Sequence, residues 1–127
     1  GVHIKNLFLC DAKKAMWLVT APWNRVIDLK KLPALMGAAR LSFGSADRLK
    51  RVLGVEPGSV TPFAVINDTT HQVQVILDAW MMRQDIVNAH PLVNTMTTSV
   101  QSADLLKFVN ATGHTPLVRR VSSPSAA

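Results

Sequence analysis

Gly58-Ser59-Val60-Thr61-Pro62, running into Phe63-Ala64-Val65-Ile66-Asn67-Asp68, is the stretch on which the reading of this chain turns. Pro57 and Gly58 form a turn-favouring pair, and Pro62 lacks an N–H and holds φ at about −65°. The apolar run 63–66 stops at Asn67-Asp68-Thr69-Thr70, and a second β-branched run follows over 73–77. This spacing predicts a loop, a strand over 63–66, a hairpin turn and a strand over 73–77. The residues between Gly58 and Pro62 would then carry unspent backbone donors on a stiffened loop. Such a loop can hold a carbonyl oxygen or a phosphate without a charged side chain. An ordinary helix-to-strand loop has the same pattern.

Upstream, Ser45 caps a predicted helix over 46–53, with Asp47 in its first turn and Gly54 just past its end. A shorter helix starts near Leu32, with Pro33 in its first turn and Gly37 as its stop. Earlier still, 6–10 and 15–20 are apolar strands around the turn Asp11-Ala12-Lys13-Lys14, giving a hairpin. A turn at 21–24 leads to a third expected strand, 25–29. Downstream, Asp78 caps one helical turn through Met82. Residues 85–89 form a strand ended by His90-Pro91. The Thr-rich run 94–100 forms another, whose row Thr95, Thr97, Ser99 suits cross-strand pairing. Ser102 caps a helix over 103–111 stopped by Gly113, and 117–121 is a last strand. The expected domain covers 1–121, with 122–127 a flexible tail or linker. About seven strands, several in succession, with two or three helices predict an α+β fold. Its sheet would be mixed and partly barrel-like, with helices packed outside, unlike a doubly wound parallel sheet.

One domain of 127 residues, 48% hydrophobic and 17% charged, has the balance of a globular fold. No apolar run approaches the ~20 residues of a membrane helix, and no signal peptide is read at the start. The single cysteine, Cys10, excludes an internal disulfide and fits a reducing, cytoplasmic setting as a buried thiol. The net charge is +6, and residues 25–51 hold seven bases against two acids, +5 of it. Lys30, Lys31, Arg40, Arg48, Lys50 and Arg51 there make either a surface for a polyanion such as nucleic acid or a solvated face.

Four scattered histidines and no cysteine pair give no metal spacing, and no cofactor is expected. There is no G-x-S-x-G elbow and no Walker loop. With Glu56 the only glutamate, a paired-carboxylate hydrolase is unsupported. Chemistry must come from backbone, lysine, histidine or the substrate itself. Lys5, at a strand entrance, is either an edge charge or a cation at a pocket mouth. His114, after the stop Gly113, either points into a cleft or is an ordinary loop histidine. His90-Pro91 reads as structural.

Several segments in register carry a resemblance: Lys5-Asn6-Leu7-Phe8-Leu9, Arg40-Leu41-Ser42-Phe43, Leu53-Gly54-Val55, Gly58-Ser59-Val60-Thr61-Pro62-Phe63, His90-Pro91-Leu92-Val93-Asn94-Thr95 and Thr112-Gly113-His114. Together they resemble the YbaK / prolyl-tRNA-synthetase-associated editing domain family, on its alanyl-tRNA(Pro) deacylase branch. Family members usually carry a helical segment ahead of the Lys-Asn motif, which this chain is expected to lack. The resemblance implies hydrolysis of the ester joining alanine to the 3′ end of tRNA(Pro), free-standing or as a module of prolyl-tRNA synthetase. A pocket built for proline cannot exclude alanine sterically, since a missing methylene gives only ~1–3 kcal/mol of discrimination. It further implies catalytic roles for Lys5, Gly58 and His114. Asn6, Ser59, Val60, Thr61, Pro62 and Asn94 would bind substrate, and a terminal-ribose hydroxyl would assist the water. The basic segment is then expected to face acceptor-stem phosphates. A cysteine-specific deacylase and a non-catalytic tRNA- or synthetase-binding module are the competing readings.

Overall fold

The computed structural model describes residues 1–89 and 98–125. β1 (Val2–Asp11) and β2 (Met16–Pro22) form the expected hairpin, in register from Ile4 opposite Pro22 to Cys10 opposite Met16. Asp11 builds its turn: Oδ1 accepts the N–H groups of Lys13 and Ala15, and Oδ2 that of Ala39. Desolvation acts to raise the Asp11 pKa, but the donors from Ala15, Ala39 and Lys13 outweigh it and hold the carboxyl below its ordinary value.

The hairpin is the middle of a seven-stranded mixed sheet ordered β6-β5-β1-β2-β4-β7. β4 (Val73–Asp78) lies parallel between β2 and β7 (Leu117–Arg119). On the other flank β1 carries two partners. Its start pairs parallel with β5 (Ile86–Ala89), itself antiparallel to β6 (Thr98–Gln101). Its end pairs antiparallel with β3 (Leu41–Phe43). The sheet curls into half a barrel, and the expected α+β class holds.

Strand alternation sorts the core into two layers. Phe8, Cys10, Leu18, Val75 and Leu77 face one side, where α2 (Ala46–Leu53) seats Leu49, Val52 and Leu53, and α4 (Ser102–Ala111) seats Leu105 and Val109. Leu9, Trp17, Val19 and Ile76 face the other, covered by Leu32 and Met36 of α1 (Leu32–Met36) and by Val121. α2 begins and ends as the sequence predicts: Ser45 Oγ accepts the Arg48 N–H, and Gly54 closes it with φ 70°. α1 closes likewise at Gly37, and Asp78 caps α3 (Ala79–Met82) through the Met81 N–H.

Four expectations are corrected. The run 63–66 is no strand; Pro62–Asn67 is a 3₁₀ segment capped by Thr61, whose Oγ1 accepts the Phe63 N–H at 3.4 Å. Pro62 suits that first helical position. Both edges of β4 are already taken by β2 and β7, so no hairpin partner is needed. Residues 25–29 also form no strand, because Asp28 turns the chain by accepting the Lys30 N–H, and Val26 makes only an isolated bridge to Ser123. Ser102 lies inside α4 rather than capping it, its N–H spent on the Asp85 carbonyl. The expected tail starts too early: Val121 and Ser122 are buried and bound to Asp78, and Ser123 pairs with Val26. The stop at His90-Pro91, and Thr95 and Thr97 of the expected strand, lie outside the described residues.

Candidate functional site

Asn6 and Lys5 are neighbours on β1, so their side chains leave opposite sides of the sheet. Asn6 shares its side with Phe8. Its Nδ2 donates to the Val60 carbonyl at 3.2 Å, and its Oδ1 accepts the Thr20 hydroxyl at 2.6 Å. Thr20 stands directly across the hairpin from Asn6 and is fully buried. This pair ties the 3₁₀ turn Pro57–Ser59 and the following Val60 to the sheet. Between them lies a pocket of about 160 Å³ lined by Asn6, Phe8, Phe43, Gly44, Leu49 and Val60, among others. Its walls are apolar, with Asn6 as the polar corner and Phe43 exposed on the rim.

The turn is less open as a donor array than its sequence suggests. The Ser59 N–H donates to the Glu56 carbonyl at 2.9 Å. Thr61 and Pro62 are buried, holding the start of the 3₁₀ segment. Space is open where a Gly58 Cβ would stand, so the turn comes within reach of a ligand there without steric obstruction.

Lys5 shares its side with Leu7 and Leu9, and its Nζ donates to the Arg25 carbonyl at 2.6 Å. His114 is brought to neither Lys5 nor Asn6 by any described contact. It is buried, with Nε2 2.8 Å from Asp68 Oδ2 and Nδ1 2.9 Å from Thr112 Oγ1. Asp68 also accepts the N–H groups of Gln72 and Val73. His71 packs edge-on to His114 and contacts the Thr112 carbonyl. Gly113 between them has φ 87°, and a Cβ there would run into the His71 ring. The cluster locks the end of α4 to the entrance of β4. Asn94 lies outside the described residues.

The basic segment is divided. Lys30 and Lys31 precede α1 on one side of the sheet, whereas Arg48, Lys50 and Arg51 ride on α2 on the other. Arg48 reaches the Cys10 sulfur at 3.2 Å, Lys50 pairs with Glu56 at 3.4 Å, and Arg40 lies by the hairpin turn. These six cannot form one face. Thr20 was not singled out as a site residue from sequence, its signal being the hairpin register itself, and Arg25 entered only as one base of the segment 25–51.

A profile of the aminoacyl-tRNA editing domain matches residues 2–108. The chain belongs to the aminoacyl-tRNA editing domain family. Two relatives agree in their names. The prolyl-tRNA editing protein ProX of Acetoanaerobium sticklandii is 42% identical over 113 residues, covering 88% of this chain and 69% of its own length. The prolyl-tRNA synthetase associated domain-containing protein 1 of Danio rerio is 36% identical over 120 residues, covering 93% and 65%. A crystal structure described as a candidate trans-editing enzyme for prolyl tRNA synthetase superposes with TM-score 0.71 at 19% identity, covering 92% of this chain and 69% of that one. As an editing domain the protein is an aminoacyl-tRNA deacylase, related to the prolyl-tRNA synthetase system. Among the described residues no helix is long and apolar enough to cross a membrane.

Proposed function

We propose that this editing domain hydrolyses the ester linking alanine to the terminal adenosine of tRNA(Pro). The observation that carries the reading is the small apolar pocket whose one polar corner, Asn6, is bonded to both Thr20 and Val60. An amino acid without a long side chain suits that space, and among the described residues no serine, threonine or cysteine nucleophile lines it. The attacking group is then water, assisted by a hydroxyl of the terminal ribose. The turn Pro57–Ser59 and the following Val60 approach the substrate closely, and their backbone orients the ester for attack. Phe43 offers a ring face for the terminal adenine. Lys5 leaves the Arg25 carbonyl to hold a phosphate of the terminal nucleotide. The protein works in the cytoplasm, alone or with prolyl-tRNA synthetase. Thr61 and Pro62 shape the loop, and His114 acts from behind it by fixing α4.

A deacylation time course on Ala-tRNA(Pro), run beside Cys-tRNA(Pro) and Pro-tRNA(Pro), tests this. We expect alanine to be lost fastest and proline to be retained. Lys5→Ala should slow the alanine reaction about 10–100-fold, the rate equivalent of one charge-assisted hydrogen bond. Faster loss of cysteine would reassign the substrate. No hydrolysis of any ester would leave a binding module, and indifference to Lys5→Ala would remove Lys5 from the site.

A further inference from the structure

A second cleft, of about 150 Å³, is lined by Arg25, Ala79, Trp80, Arg83 and Arg120. Three arginines line it, from three separate parts of the chain. Arg83 follows α3, and Arg120 follows β7; both are exposed. Arg25 is held in place: its guanidinium lies 4.7 Å from the Trp80 ring centroid, and its Nε donates to Ser122 Oγ at 2.8 Å. Ser122 Oγ in turn donates to the buried Asp78 carboxylate at 2.9 Å. Among the described residues the ion pairs are Lys50–Glu56 and Asp68–His114, so no carboxylate lies within 4.0 Å of these arginines. Asp28 and Lys31 line an adjoining groove that shares Arg120. Like charges gathered around a small concavity, with no counter-charge in contact, make a strong positive potential.

We propose that this cleft is the seat of an RNA phosphate, so that the acceptor strand enters along the Arg25–Trp80–Arg83–Arg120 side and not along α2. The inference rests on the editing reading and extends it by naming the surface that receives the tRNA. Arg83 and Arg120 each carry a guanidinium fork that matches phosphate oxygens in shape as well as charge, while Arg25, whose Nε and Nη2 both donate to Ser122, adds a fixed positive charge. Arg25, already fixed by Trp80 and Ser122, loses little freedom on binding. Its carbonyl accepts the Lys5 ammonium, so the cleft and the cation proposed for the terminal nucleotide meet at one residue. A strand seated on the three arginines would then run toward Lys5.

The test is equilibrium binding of an uncharged acceptor-stem hairpin RNA ending in single-stranded CCA, measured across a salt series. The Arg83→Gln/Arg120→Gln variant should bind about tenfold or more weakly, with the slope of log K against log salt reduced by about 1–2. Lys13→Gln/Lys14→Gln, an equal charge change at the far hairpin turn, should bind as the parent does. In deacylation the arginine variant should raise KM for the charged tRNA more than it lowers kcat. If Lys50→Gln/Arg51→Gln weakens the hairpin and the arginine variant does not, the cleft is not the RNA surface. The proposal is equally overturned if the arginine variant loses affinity for AMP but keeps it for the hairpin, since a free nucleotide would then be the ligand. Hairpin binding through the arginines by a protein that deacylates nothing would sustain the cleft and sink the editing reading. Normal deacylation with hairpin affinity and KM untouched in the variant would do the reverse.

Discussion

Gly44 passes so close to Phe8 that a Cβ would press into two carbons of its ring, and the Cys10 sulfur stands 3.2 Å from the same point. Phe8 is buried between α2 and the sheet and cannot swing aside freely. It also lines the pocket with Asn6. Gly44→Ala should therefore lower stability by about 1–3 kcal/mol, the usual cost of overpacking, seen as a lower urea midpoint with an unchanged slope. The displaced ring should also slow alanine release, so stability and activity would fall together. Asn6 makes the opposite kind of contribution. Its two hydrogen bonds spend both ends of one amide on fixing a loop, leaving the pocket a defined polar corner. Lys5, one residue away, serves the other side of the sheet for no reason beyond strand geometry.

Elements differ in how openly their sequences announce them. α2 was fully legible, because Ser45, Gly54 and the stripe Leu49, Val52, Leu53 are local signals that tertiary packing then used unchanged. Removing the cap with Ser45→Ala should cost about 1 kcal/mol, measured as a thermal or urea shift. The run 63–66 was misread because β-branched composition does not reveal whether a neighbouring strand has a free edge; β4 had none. β3 was missed since Leu41–Phe43 is too short to show a period, and it is a strand only because β1 extends beyond β5 to meet it. The site was legible in part. Asn6 and the turn at Gly58, which the structure joins through Val60, both stand in segments quoted from the sequence, whereas strand geometry sends Lys5 to the other side and the burial of His114 against Asp68 depends on a contact across 46 positions. The basic segment was read as one surface because its charges are adjacent in sequence, and the sheet separates them.

Over the whole molecule, Asp78 joins what the chain keeps apart. Buried in full, it caps α3 with Oδ2, while Oδ1 accepts the N–H groups of Val121 and Ser122 and the Ser122 hydroxyl. Asp78→Asn replaces part of that acceptor set with a donor facing donors. A loss of about 2–4 kcal/mol is expected, at ~1–3 for each buried polar group left unmatched, read from the urea midpoint. Arg25 should loosen with it, so hairpin RNA affinity would fall in a variant that has lost no positive charge. The same contact bears on synthesis. The donors for Oδ1 lie 43 and 44 positions downstream of Asp78, a lag of roughly 2–9 s at typical ribosomal speeds of ~5–20 residues per second. For that interval the nascent chain carries a carboxylate at the end of β4 with three of its four described hydrogen-bond donors still to be translated.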